Sequence, residues 1–422
     1  MPETPAETGA PGAEAPAPSI YRNPSFLAFG VMRIFNSAAL QMLNVAVGWQ
    51  VYELTGDPLD LGFIGLAQFG PVLALFLVTG LVADRFNRRT ICVVTNLVHA
   101  AIAGLFLAYA QMGGATAWPI FALLVIHGSA RSFFQPTVNS VIANVVPREQ
   151  FAAAVALSSS VLKAGFLLGP AIGGFLIALV DMWVYLIVAV SFAIAGVAAI
   201  PMALQGVRRS TSRITLDTVL GGFAFVWRRK VIMGAITLDL IAVLFSGIVG
   251  LLPVFAKDIL EVGPEGLGIM RTMPAVGALV VGVVLTQLRA PRRMGPTLLV
   301  STLVLGVSTV AFALSETFWL SILLLAVLGG SDMLSVYIRQ TIMQVATPDE
   351  MRGRVNAVSS VAINASNELG DFRAGLMAAW MTTVPAVVLG GVVTMAVAGL
   401  WARLFPTLAR VDRIEELQIE SE

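Results

Sequence analysis

The long apolar stretches of this 422-residue chain contain charged side chains that a hydrocarbon environment would not accept singly. On insertion scales, each charged residue at the centre of a membrane helix costs roughly 2.5 to 3.5 kcal/mol. These residues must therefore pair with one another or line a wet cavity. The basic members are Arg33, Arg131, Lys163, Arg271, Arg339 and Arg373, and the acidic members are Asp239, Asp332, Glu368 and Asp371.

Helical spacing places most of these charges in stripes with other polar residues, because positions three or four apart share one side of a helix. The stripes are Arg33, Asn36 and Asn44; His127, Arg131 and Gln135; Asp332, Ser335 and Arg339; and Ser360, Asn364, Glu368 and Asp371. Four stripes on four helices predict a central polar cavity, which Lys163 is also expected to face. Arg373 points away from the last stripe, which indicates a separate packing or surface charge.

Carboxylates that lie close together in a region of low dielectric are typical proton carriers. Asp239, Asp332, Glu368 and Asp371 are therefore candidates for proton coupling. The alternative is that these acids form static ion pairs, which only stabilise the packing of helices. The sequence leaves both open.

The composition indicates a protein that crosses a membrane many times. Hydrophobic residues make up 57% of the chain and charged residues 12%, about half the charge of an ordinary soluble protein, and the mean hydropathy is +0.85. A spanning helix needs about 20 apolar residues. We predict an all-α integral membrane protein with twelve spans, at about 26–51, 59–82, 90–112, 116–143, 151–179, 182–204, 231–257, 264–288, 295–315, 317–344, 355–383 and 385–405.

Lys and Arg are concentrated in alternate loops and in the C-terminal tail. By the positive-inside rule, both termini are expected in the cytoplasm. The predicted organisation is a disordered N-terminal tail (1–20), a six-helix bundle (21–204), a cytoplasmic linker (205–230), a second six-helix bundle (231–405) and a C-terminal tail (406–422). Within the linker, Ile214 to Trp227 could form an amphipathic helix on the membrane surface.

The two halves resemble each other, as internal repeats of transporters do. A shift of 201 positions places Gly169 on Gly370 and Arg131 on Asp332, and a shift of 206 places Arg33 on Asp239. At both charged positions the first half supplies a cation and the second an anion. We expect these residues to meet across the cavity and to change partners between conformations.

The loop after the second span reads GLVADRFNRRT. It resembles the loop signature of the major facilitator superfamily, which implies a gating role for Gly80, Asp84, Arg85, Arg88 and Arg89. Asn87 stands where that family usually has Gly, and Asn tolerates the left-handed turn that Gly would supply. The resemblance also implies that Asp84 faces the region of Arg352 and Arg354. The alternative is an Arg cluster that only anchors a loop.

The fifth span carries a second signature, GFLLGPAIGG. It is similar to the motif of exporters in the same superfamily, and its members here are Gly165, Gly169, Pro170, Gly173 and Gly174. Glycines at four-residue spacing also let a neighbouring helix approach closely, whatever the direction of transport. Segments around spans 2 to 5 and 10 to 11 look like the branch that includes the enterobactin exporter and macrolide efflux proteins.

These resemblances imply a secondary transporter of the bacterial inner membrane that exports a small amphipathic or anionic molecule, of the siderophore or drug class, in exchange for protons. A lysophospholipid transporter of the same fold and a transporter-like sensor are the alternatives. We expect the partners to be the lipid bilayer, the substrate and protons, with no nucleic acid, and the protein to be a monomer. The sequence has no phosphate loop, no catalytic Ser/His/Asp set and no metal-ligand spacing. We therefore expect no enzyme activity, cofactor or metal.

Overall fold

The computed structural model describes residues 20–204, 216–287 and 293–410. The first six helices are α1 (Pro24–Thr55), α2 (Pro58–Arg85), α3 (Arg88–Gln111), α4 (Trp118–Val145), α5 (Phe151–Val180) and α6 (Val184–Ala199). The remainder are α7 (Leu216–Arg228), α8 (Lys230–Ser246), α9 (Leu252–Val254), α10 (Gly263–Gln287), α11 (Met294–Ala313), α12 (Phe318–Val345), α13 (Asp349–Met381), α14 (Thr383–Leu404) and α15 (Pro406–Ala409). The described residues are thus folded into helices joined by short turns, which confirms the predicted all-α membrane class.

Local sequence signals explain where the helices begin and end. The Asn23 side chain accepts hydrogen bonds from the first backbone N–H groups of α1, at 3.0 and 3.2 Å, and Pro24 follows it. Gly56 ends α1 in the left-handed conformation at φ 63°, where a residue without Cβ is favoured. Asp57 then caps α2 through the N–H of Leu59. The first hairpin is therefore encoded by three capping residues and by Pro24 and Pro58, which begin its two helices.

Helical segments occupy all of the predicted spans. Nine stretches within the described ranges are long and apolar enough to cross a membrane, and one of them, Phe151–Ala199, contains both α5 and α6. The helices α4 and α13 fall outside these nine stretches. Both helices carry many polar residues, which is the composition expected where a helix borders a cavity rather than lipid.

The helices pack in two groups. In the first group α1 packs on α5 and α6, α2 on α4, and α3 on α4 and α6. In the second group α8 packs on α13 and α14, α10 on α12, and α11 on α12 and α14. The two groups contact each other mainly through α5 with α10 and through α2 with α13.

These contacts between the groups join the helix ends that lie opposite α7. We call the end where α7 packs against α13 the linker end, and the opposite one the far end. A Cβ on Gly174, near the end of α5, would lie 2.7 Å from the Cα of Gly268, near the start of α10. A Cβ on Gly375 of α13 would lie 3.0 Å from the Cα of Gly62 in α2. Close backbone approach between glycines therefore holds the far end together.

The seventh predicted span is not one continuous helix. It consists of α8, a break at Gly247–Ile248, a 3-10 turn over Val249–Leu251, α9, and a π-helical turn over Phe255–Ile259. Its residues are as apolar as those of its neighbours, so hydropathy alone predicted a single span. The break depends on side chains from another helix, which are described below.

The helix α7 lies within the segment predicted as a linker, and residues 214 and 215 are outside the described ranges. Gly222 packs against the backbone of Arg354 in α13, and Val226 is buried against the second group. Phe223 and Trp227 are exposed, and their rings lie 5.8 Å apart. The predicted disordered tail lies outside the described residues except for Ile20, as do linker residues 205–215 and tail residues 411–422.

Candidate functional site

Asp239 and Arg339 form a buried ion pair within the second group of helices. Asp239 of α8 lies 3.2 Å from the Arg339 guanidinium of α12, and both side chains are almost completely buried. The hydroxyl of Ser359 in α13 lies 3.5 Å from the same guanidinium. Asp332, two turns earlier on α12, interacts electrostatically with both members of the pair. Two acids thus share one arginine.

The expected pairing of Arg33 with Asp239 across the cavity is wrong for this conformation. Arg33 is 7% exposed, its Nε has no hydrogen-bond partner among the described residues, and it lies near Cys92 of α3. Its neighbour on the stripe, Asn36, donates to Asn96 of α3 at 2.9 Å. Both residues face the interior of the first group. A repeat aligns equivalent positions, but Arg33 and Asp239 each pack within their own group of helices.

Glu368 is the acid that lies between the two groups. It is on α13, and a Cβ added to Gly65 of α2 would lie only 3.1 Å from its Oε2 atom. Glu368 also interacts electrostatically with Arg131 of α4 and with Asp371, one turn along its own helix. The cation from the first half and the anion from the second are therefore near enough to attract each other, without forming a direct ion pair among the described residues. The acid that attracts Arg131 is Glu368 rather than the expected Asp332.

Asp371 and Arg373 lie on either side of the break that follows α8. The Arg373 guanidinium donates to the carbonyls of Leu244 and Phe245 at 2.9 and 2.8 Å. Asp371 accepts a hydrogen bond from the N–H of Gly250 at 3.2 Å. The cation thus binds the carbonyl end of one helical segment and the carboxylate binds the amide end of the next. The expectation that Arg373 is a packing charge is confirmed.

Arg271 of α10 belongs to the same neighbourhood. Its guanidinium lies 3.5 Å from the carbonyl of Val249, inside the break, and it interacts electrostatically with Asp371. A Cβ on Gly48 of α1 would lie 3.8 Å from this guanidinium. Residues from α1, α8, α10 and α13 therefore converge at the break, close to the far end.

His127 does not line the cavity, contrary to the prediction. Its exposed fraction is 0%, and its ring centroid lies 4.3 Å from that of His99 in α3. Phe192 of α6 packs against both rings. The sequence placed His127 on the Arg131 side of α4, but α3 and α6 cover that turn, whereas Arg131 is partly accessible.

The remaining predicted cavity residues differ in exposure. Gln135, Lys163 and Asn364 are exposed, and Asn364 bonds its own helix at Ser360. Asn44 is partly buried and bonds Gln41 at 3.2 Å, and Ser335 is 8% exposed beside the buried ion pair. An accessible polar surface from α4, α5 and α13 thus lies towards the linker end.

The loop motif after α2 is described only in part, because the side chain of Asp84 lies outside the described set. Gly80, Arg85 and Arg89 are exposed, and Arg88 is partly exposed. The Arg89 guanidinium donates a hydrogen bond to the carbonyl of Ile200 at 3.3 Å. Asn87 has φ −65° and caps α3 by accepting from the Arg89 N–H at 3.0 Å. Asn87 therefore does not use the left-handed conformation that Asn tolerates, and it serves as an extended N-cap, a position that Asn favours.

The two arginines that Asp84 was expected to face have partners of their own. Arg352 forms an ion pair with Asp349 at 2.7 Å and donates to the Gln344 carbonyl. Arg354 packs its backbone against Gly222 of α7.

The glycine stripe of α5 packs against α1, as its spacing indicates. Gly165, Gly169 and Gly173 are buried, and Cβ atoms at Gly169 and Gly173 would lie 2.6 Å from Gln41 and 3.0 Å from Met42. Gly174 and Pro170, also buried, instead face α10 of the other group. The motif therefore serves two interfaces, one within the first group and one between the groups.

Sequence reasoning missed three contributors to this site. Gly65 provides the space for Glu368. Gly62 lies three residues before Gly65 in the chain, and two glycines at this spacing were an available signal for a close helix contact. Tyr52 of α1 donates a short hydrogen bond to Asp258, past the break. No local pattern marks Tyr52 or Asp258 as partners, because they are far apart in the chain.

Comparison with known families settles the class of protein. A family model described as "Transmembrane secretion effector" matches residues 15–421 of the chain. The chain belongs to this family. It is therefore a transporter of the major facilitator superfamily rather than an enzyme, as the loop motif predicted.

Curated relatives of this transmembrane secretion effector are efflux proteins by name. It is 27% identical over 416 residues to the multidrug efflux pump Tap of Mycobacterium tuberculosis (strain ATCC 25618 / H37Rv), covering 94% of this chain and 97% of Tap. It is 26% identical to Tap of Mycolicibacterium fortuitum over 87% of this chain and 92% of Tap. It is 24% identical to the enterobactin exporter EntS of Escherichia coli O81 (strain ED1a), over 87% of this chain and 89% of EntS.

Solved structures share the fold of this effector at low sequence identity. A bacterial homologue of the human lysosomal transporter Spinster, in an inward-facing and unoccupied conformation, has a TM-score of 0.70 at 13% identity, covering 97% of this chain and 99% of that one. The nucleoside transporter NupG has a TM-score of 0.69 at 14% identity, covering 90% and 99%. These similarities establish a multi-pass membrane transporter fold.

Proposed function

We propose that this protein exports a small amphipathic or anionic molecule, of the drug or siderophore class, in exchange for protons. The names of its relatives support efflux, and the cations Arg131 and Lys163 on the accessible polar surface favour a substrate with anionic character. The protein works as a monomer in the bacterial inner membrane, with both termini in the cytoplasm.

The observation that carries proton exchange is the position of Glu368 between the helix groups. When Glu368 is charged, its attraction to Arg131 and its fit beside Gly65 hold α13 of the second group against α2 and α4 of the first. A proton on Glu368 removes that attraction and leaves Arg131 available to an anionic substrate. The charged Glu368 carboxylate and an anionic substrate thereby compete for Arg131, which couples the protonation of Glu368 to substrate binding.

Alternating access follows from the same arrangement. The groups touch at the far end through glycine contacts, and the accessible polar side chains lie towards the linker end. This is the conformation that would admit substrate from the cytoplasm. Loss of the Glu368–Arg131 attraction would let the two six-helix bundles rock and open the far end.

Asp239 and Asp332 are secondary candidates for carrying the proton. They share Arg339 inside the second bundle, and Asp371 is engaged at the helix break. Of the four acids, Glu368 alone is described against residues of the other bundle on both α2 and α4.

The test is transport in proteoliposomes with an imposed pH gradient, screening drugs, siderophores and lysolipids. Wild-type protein is expected to move at least one drug or siderophore faster when a gradient is present. Glu368→Gln should bind that compound but lose the stimulation by the gradient. Glu350→Gln, at an exposed acid on the same helix, is the matched control.

Three results would contradict the proposal. Gradient-stimulated transport in Glu368→Gln equal to wild type would remove Glu368 from coupling. Transport of lysolipids alone would favour the lipid-transporter alternative. Binding of a compound without any counterflow would favour a sensor.

A further inference from the structure

A large apolar groove lies in the second bundle, apart from the polar residues of the transport site. Its volume is about 630 Å³, and α10, α11 and α12 form its walls. This volume is within the range of pockets that bind small molecules, roughly 300 to 1,000 Å³. Valines make up much of the lining, including Val276, Val280, Val300 and Val304.

Small residues create the groove. Gly329 of α12 packs against Pro274 of α10, and Gly277 of α10 packs against Ala326, so these two helices lie in close contact. Gly306 of α11 is held against α14 at Gly391. The helix α10 packs closely on α12, and α11 packs closely on α14. A gap therefore remains between α10 and α11, and α12 lines its base.

The groove has the depth of one leaflet. Its lining on α11 begins at Arg293, at the linker end, and reaches Val304. Eleven helical residues rise about 16 Å, which is roughly half of the 30 Å hydrocarbon core. Val280 and Val300 are each 56% exposed, so the groove is open along its side to the surrounding lipid.

The polar end of the groove has the charge of a phosphate site. Arg293 is exposed there, and as the N-cap of α11 it supplies no side-chain hydrogen bond to the first N–H groups of that helix. The backbone at the start of α11 adds little, because Met294 and Gly295 are buried, Gly295 against Leu408 of α15, and Pro296 has no N–H, so the anion would bind the Arg293 guanidinium. An apolar channel one leaflet deep with a basic mouth matches a phospholipid, whose phosphate is joined to a long acyl chain.

We propose that this groove binds one acyl chain of an anionic phospholipid from the cytoplasmic leaflet, with its phosphate at Arg293. The leaflet follows from the orientation proposed above. The lipid is a bound component of the second bundle and is distinct from the transported substrate. The proposal therefore stands whether or not protons drive transport.

The experiment uses the full chain in vesicles of phosphatidylcholine with a trace of phosphatidylglycerol that carries a photoreactive diazirine on one acyl chain. After irradiation, labelled peptides are mapped by mass spectrometry. We expect the label on α10, α11 and α12 around the groove, and we expect excess phosphatidylglycerol to displace it more effectively than phosphatidylcholine does.

Variants separate the groove from lipid that merely surrounds the protein. Val300→Trp should fill the groove and abolish labelling of its walls, while Val190→Trp, at a valine of α6 that is 49% exposed, should not. Size-exclusion chromatography shows whether the Val300→Trp protein is folded. If it is not, Val304→Trp fills the groove at a second position. Arg293→Gln should lower the preference for phosphatidylglycerol about fivefold, and Arg403→Gln, at another exposed arginine, should not.

Three outcomes would overturn the proposal or its assignment of the headgroup. If the label were spread over all lipid-facing helices in proportion to their exposure, it would come only from the lipid that surrounds the protein. Unchanged labelling in a folded Val300→Trp or Val304→Trp protein would mean that no chain occupies the groove. Equal displacement by both lipids would overturn the assignment of the headgroup to Arg293.

Discussion

The Asp239 carboxylate and the Arg339 guanidinium form an ion pair at 3.2 Å inside one bundle, and both side chains are almost completely buried. Breaking a buried pair leaves one charge without compensation, which typically costs 3 to 5 kcal/mol. Asp239→Asn should therefore lower the free energy of unfolding by about 3 kcal/mol or more, measured by denaturation in detergent micelles.

The control for that change is the exposed pair of Asp349 and Arg352, whose side chains are 83% and 49% exposed. Exposed pairs contribute roughly 0 to 1 kcal/mol. Asp349→Asn should therefore leave stability almost unchanged. Equal effects of the two substitutions would show that Asp239 is not held as a buried charge.

Gly65 tests whether close packing beside Glu368 stabilises the conformation that is closed at the far end. A Cβ at Gly65 meets Glu368 at 3.1 Å, whereas a Cβ at Gly70 on the same helix meets nothing within 4 Å. We expect Gly65→Val to shift the protein away from this conformation and Gly70→Val to leave it in place. The measurement is the distance distribution between spin labels placed at the far ends of α2 and α13. A wild-type distribution in Gly65→Val would contradict the prediction.

Arg373 tests how the break after α8 is stabilised. Its guanidinium bonds two backbone carbonyls and stacks over the Phe245 ring, 4.9 Å from the centroid. A hydrogen bond to a charged group contributes roughly 1.5 to 3 kcal/mol, so Arg373→Gln should lower the free energy of unfolding by about 2 kcal/mol or more. Arg373→Lys should recover only part, because Lys lacks the planar fork. Full recovery by Lys would show that charge alone suffices.

His127 tests whether a buried polar group is retained at a cost. Neither ring nitrogen has a hydrogen-bond partner among the described residues. An unsatisfied buried polar group costs about 1 to 3 kcal/mol, so His127→Leu is expected to raise the thermal unfolding temperature. His127→Asn, which keeps polar atoms in the same place, is the control and should not. Lower stability in His127→Leu would mean that the ring has a partner the described contacts do not include.

The proposed orientation is testable because Cys92 is the single cysteine of the chain and is buried. Glu316→Cys, in the turn before α12, should react with a membrane-impermeant maleimide added outside intact cells. Glu350→Cys, at the start of α13, should react only after the cells are opened. The reverse pattern would place the linker end outside.

The membrane class, the number of spans and most helix ends were predictable from sequence, because they depend on local properties. Apolar stretches about 20 residues long must cover their backbone by forming helices in lipid. Caps such as Asn23 and Asp57 act on amides two or three residues away. The glycine stripe of α5 was likewise predictable, since a stripe needs only helical periodicity.

The partners of the buried charges were decided only by tertiary structure. The repeat placed Arg33 opposite Asp239, yet Asp239 is bound to Arg339, and Arg131 interacts with Glu368. The helix break after α8 depends on Arg373 and Asp371, more than 120 residues away in the chain. Sequence determined which charges had to avoid lipid, because hydropathy identifies the apolar spans that contain them. Which charge each one meets depends on how helices distant in sequence cross, and local periodicity does not encode that.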